Sequence, residues 1–131
     1  MLMPQVSRYM TLHPQAIGPR AKLSTARELM RRTGVHHLPV VDHDRVVGVV
    51  SDRDLHQIHR SHGGLVSDAM TEPAVTASKD MPLDAALELM QAKSCHSLVI
   101  VGKAGVEGIF TTADALRALG DVLRRTVEEH P

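Results

Sequence analysis

An internal duplication constrains this 131-residue chain more than any other feature of its sequence. The segment that begins at Gly48 recurs sixty positions later at Gly108, and both copies read glycine, two apolar residues, a hydroxyl residue, two variable residues and aspartate. Identical residues continue through both halves at the same offset, among them Val6/Val66, Met10/Met70, Thr11/Thr71, Leu23/Leu83, Met30/Met90, His36/His96, Leu38/Leu98 and Asp54/Asp114. Two copies are too few for a solenoid, so the duplication predicts a pseudo-twofold pair in which each half covers the other's apolar face.

The same order of elements is predicted in each repeat, which we place at residues 1–60 and 65–131 with a linker at 61–64. Apolar spacing predicts helices near 24–33 and 82–93, with Pro82 at the first helical position and Gly34 ending the first helix. β-Branched runs predict strands and hairpins, and a helix follows each hairpin. The predicted strands are 37–42, 46–50, 97–101 and 106–110, with short extended segments at 15–17 and 74–76. The following helices are predicted to begin at Asp52, ending near Arg60, and at Thr112, continuing toward Glu129.

Composition and charge exclude several classes of function. Fifteen basic residues balance fifteen acidic ones, so the chain has no electrostatic footprint for nucleic acid or an anionic membrane. No apolar run approaches the roughly 20 residues of a membrane span, and the N-terminus lacks the apolar core of a signal peptide. A single cysteine, Cys95, excludes an internal disulfide framework. We therefore expect a soluble, cytoplasmic protein.

The repeated junction carries residues suited to a phosphorylated riboside. Ser51 and Thr111 stand where a strand ends and a helix begins, and the first N–H groups of a helix favour an anion. Asp54 and Asp114 follow three residues later, and a carboxylate accepts hydrogen bonds from vicinal ribose hydroxyls. The same spacing also fits a capping box, in which the hydroxyl and the carboxylate only close the helix N-terminus. From the residues alone, both interpretations stay open.

The two copies of the junction differ in charge. Arg53 stands beside the first pattern and suits bidentate binding of a phosphate, whereas its counterpart is Ala113. His37 begins the first hairpin, and His96 directly precedes the second. We hypothesise that the first site prefers a polyanionic nucleotide. The alternative for Arg53 is a solvated side chain on the first helical turn.

Taken together, these motifs resemble a tandem pair of CBS domains, the Bateman module, over about residues 6–119. The resemblance rests on the opening Val-Ser-x-x-Met-Thr, the Ala-x-Glu-Leu-Met helix, the segment 37–42 and the Gly-h-h-Ser/Thr-x-x-Asp pattern, where h is an apolar residue. It implies an α+β fold of two β-α-β-β-α repeats packed sheet to sheet, with ligand clefts between them and frequent dimerisation. One departure is Pro39, which has no counterpart in the second repeat and makes the second cleft the less typical one.

The resemblance also implies roles for individual residues. Such pairs commonly bind adenosine derivatives: AMP, ADP, ATP, S-adenosylmethionine or, in some cases, NAD. By this resemblance the ribose is held by Asp54 and Asp114, and the phosphate is contacted by Ser51 and Thr111. The adenine pocket is lined by the segments around Ile17 and around Val75 and Thr76.

Other constellations of reactive residues are weaker. His56, His59 and His62 are spaced by three, but no cysteine or carboxylate completes a compact set of metal ligands, so solvated histidines are the simpler interpretation. No catalytic constellation is recognisable, and Cys95 is most simply a small buried residue. We predict a stand-alone, non-catalytic regulatory module that needs no cofactor or metal. It binds an adenosine nucleotide (AMP, ADP or ATP) for energy sensing, forms a homodimer and signals to a client protein. The alternatives are a ligand-independent dimerisation scaffold, or a sensor of S-adenosylmethionine or NAD.

Overall fold

The computed structural model describes residues 2–58 and 64–129, which fall into two compact units. The first unit is Pro14–Ala74, and the second unit combines Met1–His13 with Val75–Pro131. Most of the predicted linker, residues 61–63, and the predicted helix end at Arg60 lie outside the described residues. In chain order the elements are β1 (Thr11–Leu12), α1 (Leu23–Thr33), β2 (His37–Asp42), β3 (Arg45–Ser51), α2 (Asp52–Gln57), α3 (Val66–Ala69), β4 (Thr76–Ala77), α4 (Leu83–Lys93), β5 (Ser97–Gly102), β6 (Gly105–Thr111) and α5 (Thr112–Glu129), and a 3₁₀ turn at Val6–Arg8 precedes them.

The helices follow the predicted apolar periodicity. The buried residues of α1 are Leu23, Ala26 and Met30, and those of α4 are the matching Leu83, Ala86 and Met90. Gly34 ends α1 in the left-handed region at φ 75°, as predicted, because glycine adopts that region without a steric cost. Two helix boundaries, the start of α4 and the end of α2, differ from the prediction. Pro82 is the N-cap of α4 rather than its first residue, since its ψ of 145° is extended, and α2 ends at Gln57, where Ile58 is extended. By contrast, α5 continues to Glu129 in spite of Gly120.

Both predicted hairpins are present. β2 pairs antiparallel with β3, placing His37 opposite Ser51, and β5 pairs antiparallel with β6, placing Ser97 opposite Thr111. In the second unit, β1 and β4 extend the hairpin to a four-stranded sheet of order β1-β6-β5-β4. In the first unit, single bridges from Thr71 to Val49 and from Ile17 to Val40 take these two places. The predicted extended segments are therefore shorter than expected in the first repeat and displaced by a residue or more in the second. The α+β class and two-repeat architecture are confirmed.

The entry segments of the two sequence repeats are exchanged between the units. Thr11, from the start of the chain, pairs with Ile109 on β6 in the second unit. Thr71, from the start of the second repeat, exchanges two backbone hydrogen bonds of 3.0 and 2.8 Å with Val49 on β3 in the first unit. The repeats in the sequence and the compact units in space are thus different divisions of the chain. The repeat boundaries drawn from the duplication stay a prediction about the sequence.

The glycine of the repeated pattern makes this exchange sterically possible. A Cβ atom on Gly48 would lie 2.7 Å from the carbonyl oxygen of Thr71, and one on Gly108 would lie 2.9 Å from that of Thr11. Both distances are too short for a carbon–oxygen contact, so only glycine lets each entry segment approach its hairpin this closely. The identity Gly48/Gly108 therefore has a structural cause in the close approach of the two entry segments.

Tyr9 fixes the N-terminal segment to α5 in the second unit. Its side chain is buried, and its hydroxyl donates a hydrogen bond to Asp121. Its carbonyl oxygen accepts a hydrogen bond of 2.8 Å from Arg117. The hydrogen bond from Tyr9 lowers the pKa of the Asp121 carboxyl below its usual value; burial opposes this effect and Arg125 adds to it.

The Tyr9–Asp121 contact predicts a pH-dependent contribution to stability. A carboxyl whose pKa is depressed in the folded state stabilises the fold above its unfolded-state pKa, and that contribution is lost as pH falls through the folded-state pKa. We expect Tyr9→Phe, which keeps the buried ring, to lose this acid-sensitive contribution. Thermal melts recorded from neutral pH into the acid range should fall more steeply for the wild-type chain than for Tyr9→Phe. Parallel curves for the two proteins would show that the contact contributes no pH dependence.

Candidate functional site

The strand-to-helix junction of the first unit forms a complete capping box. Ser51 is the last residue of β3 and the N-cap of α2. Its Oγ accepts a hydrogen bond of 3.0 Å from the Asp54 N–H, and Asp54 Oδ2 accepts one of 2.9 Å from the Ser51 N–H. The capping hydrogen bonds that this spacing predicts are therefore present, and the ligand-binding role stays a prediction. The box also fixes the orientation of both side chains at the end of the hairpin.

The capping box leaves ligand-binding capacity at the first junction. Within the described part of the chain, Asp54 Oδ1 accepts no hydrogen bond, and the Ser51 hydroxyl hydrogen has no acceptor. Arg53 is exposed and forms no ion pair with any described residue. One acceptor oxygen, one hydroxyl donor and one guanidinium group are thus available at a single helical turn. This set matches a ribose and a phosphate.

The backbone at the start of α2 offers less to an anion than the sequence suggested. The Asp52 N–H donates to the His36 carbonyl oxygen at 3.0 Å, and the Asp54 N–H is taken by Ser51. A phosphate here would therefore depend on the Arg53 side chain more than on the helix N-terminus. The His36 ring Nδ1 lies 2.9 Å from Asp52 Oδ2. Burial raises the pKa of the Asp52 carboxyl, but the hydrogen bond and charge of His36 outweigh it, so the net pKa is lowered.

The second junction has the same outline but different internal bonding. Asp114 Oδ2 accepts hydrogen bonds from the Thr111 N–H at 2.9 Å and from the Thr111 hydroxyl at 3.1 Å. Asp114 Oδ1 lies 3.2 Å from Arg117, and Asp114 is only 5% exposed. The return hydrogen bond from the Asp114 N–H to Thr111 Oγ1 is long, at 3.4 Å. Both carboxylate oxygens and the hydroxyl hydrogen are therefore engaged within the second unit.

Arg117 is the residue at this junction that our sequence reasoning missed. It pairs with Asp114 and with the Tyr9 carbonyl oxygen, so it holds the second junction closed. The signal was present in the sequence, because Asp and Arg three residues apart on a helix are neighbours and Gln57 stands at the corresponding position of the first repeat. The two junctions thus differ in three ways: Ser51 against Thr111, Arg53 against Ala113, and Gln57 against Arg117.

The remaining predicted site residues lie on the same hairpins. His37 is opposite Ser51 at the end of the first hairpin. At the second hairpin, the backbone carbonyl oxygen of the exposed His96 accepts a hydrogen bond of 3.0 Å from the Thr112 N–H. Ile17 is buried against β2, and its N–H and carbonyl groups bond to Pro39 and Val41 there. Its own backbone is therefore not available to read an adenine edge.

The corresponding segment of the second unit is more accessible. Val75 is half-buried, and its carbonyl oxygen accepts a hydrogen bond of 2.9 Å from the Val99 N–H. Thr76 is exposed and pairs with Val99 at the edge of the sheet. Each unit thus collects its own predicted residues along one hairpin, and the adenine-binding role of both segments stays a prediction.

Neither a metal-ligating cluster nor a membrane-spanning helix is present among the described residues. Residues 2–58 and 64–129 contain no group of three or more histidine, cysteine, aspartate or glutamate side chains arranged to hold a metal ion. His59 and His62, which entered the metal interpretation of the sequence, lie outside this range. No helix in the described part of the chain combines the length and apolar character needed to cross a membrane.

Comparison with known proteins gives a family match over most of the chain. The model of the CBS domain matches twice, at residues 6–59 and 66–121. Among curated proteins, the inosine-5′-monophosphate dehydrogenase of Thermoplasma acidophilum is 33% identical over 101 residues, which cover 76% of this chain and 20% of the dehydrogenase. The chain thus spans about a fifth of the length of the curated relatives it matches first.

Solved structures match over nearly their whole length. The structure of CBSX2 in complex with AMP is 27% identical, has a TM-score of 0.75 and covers 90% of this chain and 97% of that one. The CBS domain pair of protein MJ0100, in complex with 5′-methylthioadenosine and S-adenosyl-L-methionine, has a TM-score of 0.84 and covers 92% and 98%. At 23% identity, the second likeness concerns the fold alone.

Proposed function

The chain belongs to the CBS-domain family as a pair of CBS repeats, and from this premise we propose that it is a non-catalytic regulatory module that binds an adenosine nucleotide at the first junction. In this proposal Asp54 holds the ribose hydroxyls, Arg53 and the Ser51 hydroxyl hold the phosphate, and His37 and the segment around Ile17 flank the base. The second junction, with Thr111, Asp114, His96, Val75 and Thr76, is a weaker site.

One observation carries this proposal: the unused hydrogen-bonding groups of the first junction. Asp54 Oδ2 is fixed by the Ser51 N–H, which orients the carboxylate and leaves Oδ1 for a hydroxyl donor. A preoriented acceptor loses little conformational freedom on binding, so more of its interaction energy contributes to affinity. At the second junction a ligand would first have to displace Arg117 from Asp114.

The ligand class is supported by the relatives. The 27%-identical CBSX2 structure contains AMP, and this chain has an exposed arginine beside its first junction to balance a phosphate. AMP, ADP and ATP share the ribose and the 5′-phosphate that the first junction suits. We propose that they compete for this site in the cytoplasm, so that its occupancy reports the energy state to a client protein. A ligand shifts such an equilibrium only through its different affinities for the two states.

A thermal-shift panel tests the proposal directly. The full chain is melted alone and with AMP, ADP, ATP, NAD or S-adenosylmethionine, and the affinity of each stabilising ligand is then measured by titration calorimetry. Binding only to the folded state stabilises it by about 2.7 kcal/mol at one hundred times the dissociation constant, a shift that is easily measured. Stabilisation by an adenine nucleotide supports the proposal, and indifference to all five ligands would refute it.

Arg53 is expected to determine the preference for charged phosphates. We expect Arg53→Ala to weaken ATP binding roughly tenfold, because a charge-assisted contact of about 1.5–3 kcal/mol is lost, partly offset by solvent at this exposed site. Affinity for adenosine, which has no phosphate, should be unchanged. Arg45→Ala is the matched control, because Arg45 is an exposed arginine at the start of β3, the strand that ends at Ser51. Equal affinities for ATP in the Arg53→Ala and wild-type chains would exclude a phosphate contact.

The second candidate function is a dimerisation scaffold that needs no ligand. It is favoured by the exposed apolar residues of α5, which the fold of one chain leaves uncovered. A chain that forms a stable dimer and responds to none of the five ligands would support this function. Formation of a homodimer is also part of our main proposal, and α5 offers a surface for it.

A further inference from the structure

Arg117 brings a positive charge to the second junction from the next turn of α5. The first repeat carries Arg53 inside its pattern, whereas the corresponding residue of the second pattern is Ala113. Residues three and four apart on a helix are neighbours, and a helical side chain leans toward the N-terminus, so the Arg117 side chain points back to Ala113 and Asp114. Its Nη2 atom indeed lies 3.2 Å from Asp114 Oδ1. Arg117 therefore supplies the cation that Ala113 cannot.

A single nitrogen of the Arg117 guanidinium makes its contacts inside the second unit. Nη2 donates to the Tyr9 carbonyl oxygen at 2.8 Å and also pairs with Asp114. The Nε and Nη1 N–H groups have no partner among residues 2–58 and 64–129, and the side chain is 61% exposed. A guanidinium carries five N–H donors in a planar fork that fits carboxylate and phosphate oxygens. Arg117 thus presents unused donors to an incoming phosphate.

Asp114 cannot receive a ribose while Arg117 stays in this place. Its Oδ2 accepts hydrogen bonds from Thr111, its Oδ1 faces Arg117, and the residue is 5% exposed. In the first repeat the position of Arg117 is held by the uncharged Gln57. Removing one partner of a buried ion pair is costly because the other charge is left uncompensated. A ligand must therefore offer Arg117 another anion before it can use Asp114.

From this arrangement we propose that Arg117 restricts the second junction to phosphorylated ribosides. A 5′-phosphate draws Arg117 away from Asp114, and the released Asp114 Oδ1 then accepts the ribose hydroxyls. An unphosphorylated nucleoside offers no anion in exchange, so it is rejected. The inference rests on the proposed function, because it assigns a ligand class to the second site. It also links that site to the N-terminal segment, since the Nη2 atom that leaves Asp114 leaves the Tyr9 carbonyl oxygen as well.

Titration calorimetry on a full chain with a disabled first junction isolates the second site. In the Arg53→Ala/Asp54→Asn background we expect AMP to bind at least about tenfold more tightly than adenosine, the effect of one charge-assisted contact. Adding Arg117→Gln, which installs the residue of the first repeat, should strengthen adenosine binding, weaken AMP binding and bring the two affinities within about twofold of each other. Arg124→Gln is the matched control, because Arg124 is an exposed arginine about two turns further along α5, and it should keep the preference.

The outcomes separate this inference from the first site. Equal affinities for AMP and adenosine before Arg117 is replaced, no binding of either ligand in the Arg53→Ala/Asp54→Asn background, or an undiminished preference in Arg117→Gln would each overturn the inference. Equal AMP stoichiometry and affinity in the wild-type chain and in the Arg53→Ala/Asp54→Asn background would instead refute binding at the first junction and leave the second site standing.

The Tyr9 carbonyl group reports on the same exchange while Arg117 is left intact. Tyr9 is the only tyrosine, so a ¹³C label in the tyrosine carbonyl carbon gives a single resonance. In the Arg53→Ala/Asp54→Asn background, saturating AMP should shift this resonance upfield, because the carbonyl oxygen loses the hydrogen bond from Arg117. The same concentration of adenosine should leave it in place. A resonance that stays fixed while AMP fills the second site would overturn the release of Arg117.

Discussion

Asp54→Asn is expected to weaken AMP binding roughly 10–100-fold, measured by titration calorimetry. A hydrogen bond to a charged group contributes about 1.5–3 kcal/mol, and each 1.4 kcal/mol changes an affinity tenfold. The asparagine side chain keeps the shape of Asp54 and retains an oxygen that can accept from the Ser51 N–H, so the helix cap should survive. The substitution therefore removes the charge that receives the ribose hydroxyls while leaving the junction folded.

Asp52→Asn is the matched control for this measurement. Asp52 lies two residues away on the same turn of α2, but its carboxylate contacts His36 and takes no part in the capping box. We expect its AMP affinity to stay within about twofold of wild type, the range of surface substitutions away from a site. If Asp52→Asn weakens binding as much as Asp54→Asn does, the effect is one of general charge and not of a ribose contact. An unchanged affinity in Asp54→Asn would show that its ribose role is wrong.

The second aspartate is expected to behave differently. Asp114 is buried, and its carboxylate pairs with Arg117 and caps α5 through Thr111. We expect Asp114→Asn to lower the melting temperature and to change the main AMP affinity little. The same substitution at two positions of a duplicated pattern would then separate a ligand-binding role from a structural one.

Gly48→Ala and Gly108→Ala are each expected to destabilise the chain by about 1–3 kcal/mol, the usual effect of forcing extra volume into a packed site. The added methyl group would meet the backbone oxygen of Thr71 or Thr11 at less than 3.0 Å, so the entry segment would have to move away from its hairpin. Urea denaturation monitored by circular dichroism measures the free energy of unfolding of each variant. The loss should be similar at both glycines, because the two close approaches are equivalent.

Gly18→Ala serves as the control for the glycine variants. A Cβ atom on Gly18 would meet only the Val41 carbonyl oxygen, at 3.9 Å, which is an ordinary contact. Its free energy of unfolding should therefore stay within about 0.5 kcal/mol of wild type. A loss at Gly18 as large as that at Gly48 would mean that the close approach is not the cause.

The local elements follow from the sequence with little ambiguity. The apolar spacing of α1 and α4, the β-branched runs of the hairpins and the glycine after α1 predict structures that depend mainly on neighbouring residues. The Ser51–Asp54 spacing likewise allowed a capping box beside the ligand-binding interpretation, and the box can be recognised because that motif is completed within four residues. The end of α2 at Gln57 could not be predicted from the sequence, because no glycine or proline marks that boundary.

Duplication, family resemblance and the chemistry of the first junction were thus available from the sequence by itself, because each depends on residue identity at fixed spacing. Only the tertiary structure showed that the entry segments of the two repeats are exchanged, since the pairing of Thr11 with Ile109 joins residues almost a hundred positions apart. It also decided how two nearly identical patterns differ. Asp54 has one carboxylate oxygen without a hydrogen bond, whereas both carboxylate oxygens of Asp114 are engaged, by Thr111 and by Arg117. Arg117 reaches this position because the N-terminal segment folds onto α5 and its Tyr9 carbonyl oxygen accepts a hydrogen bond from Arg117.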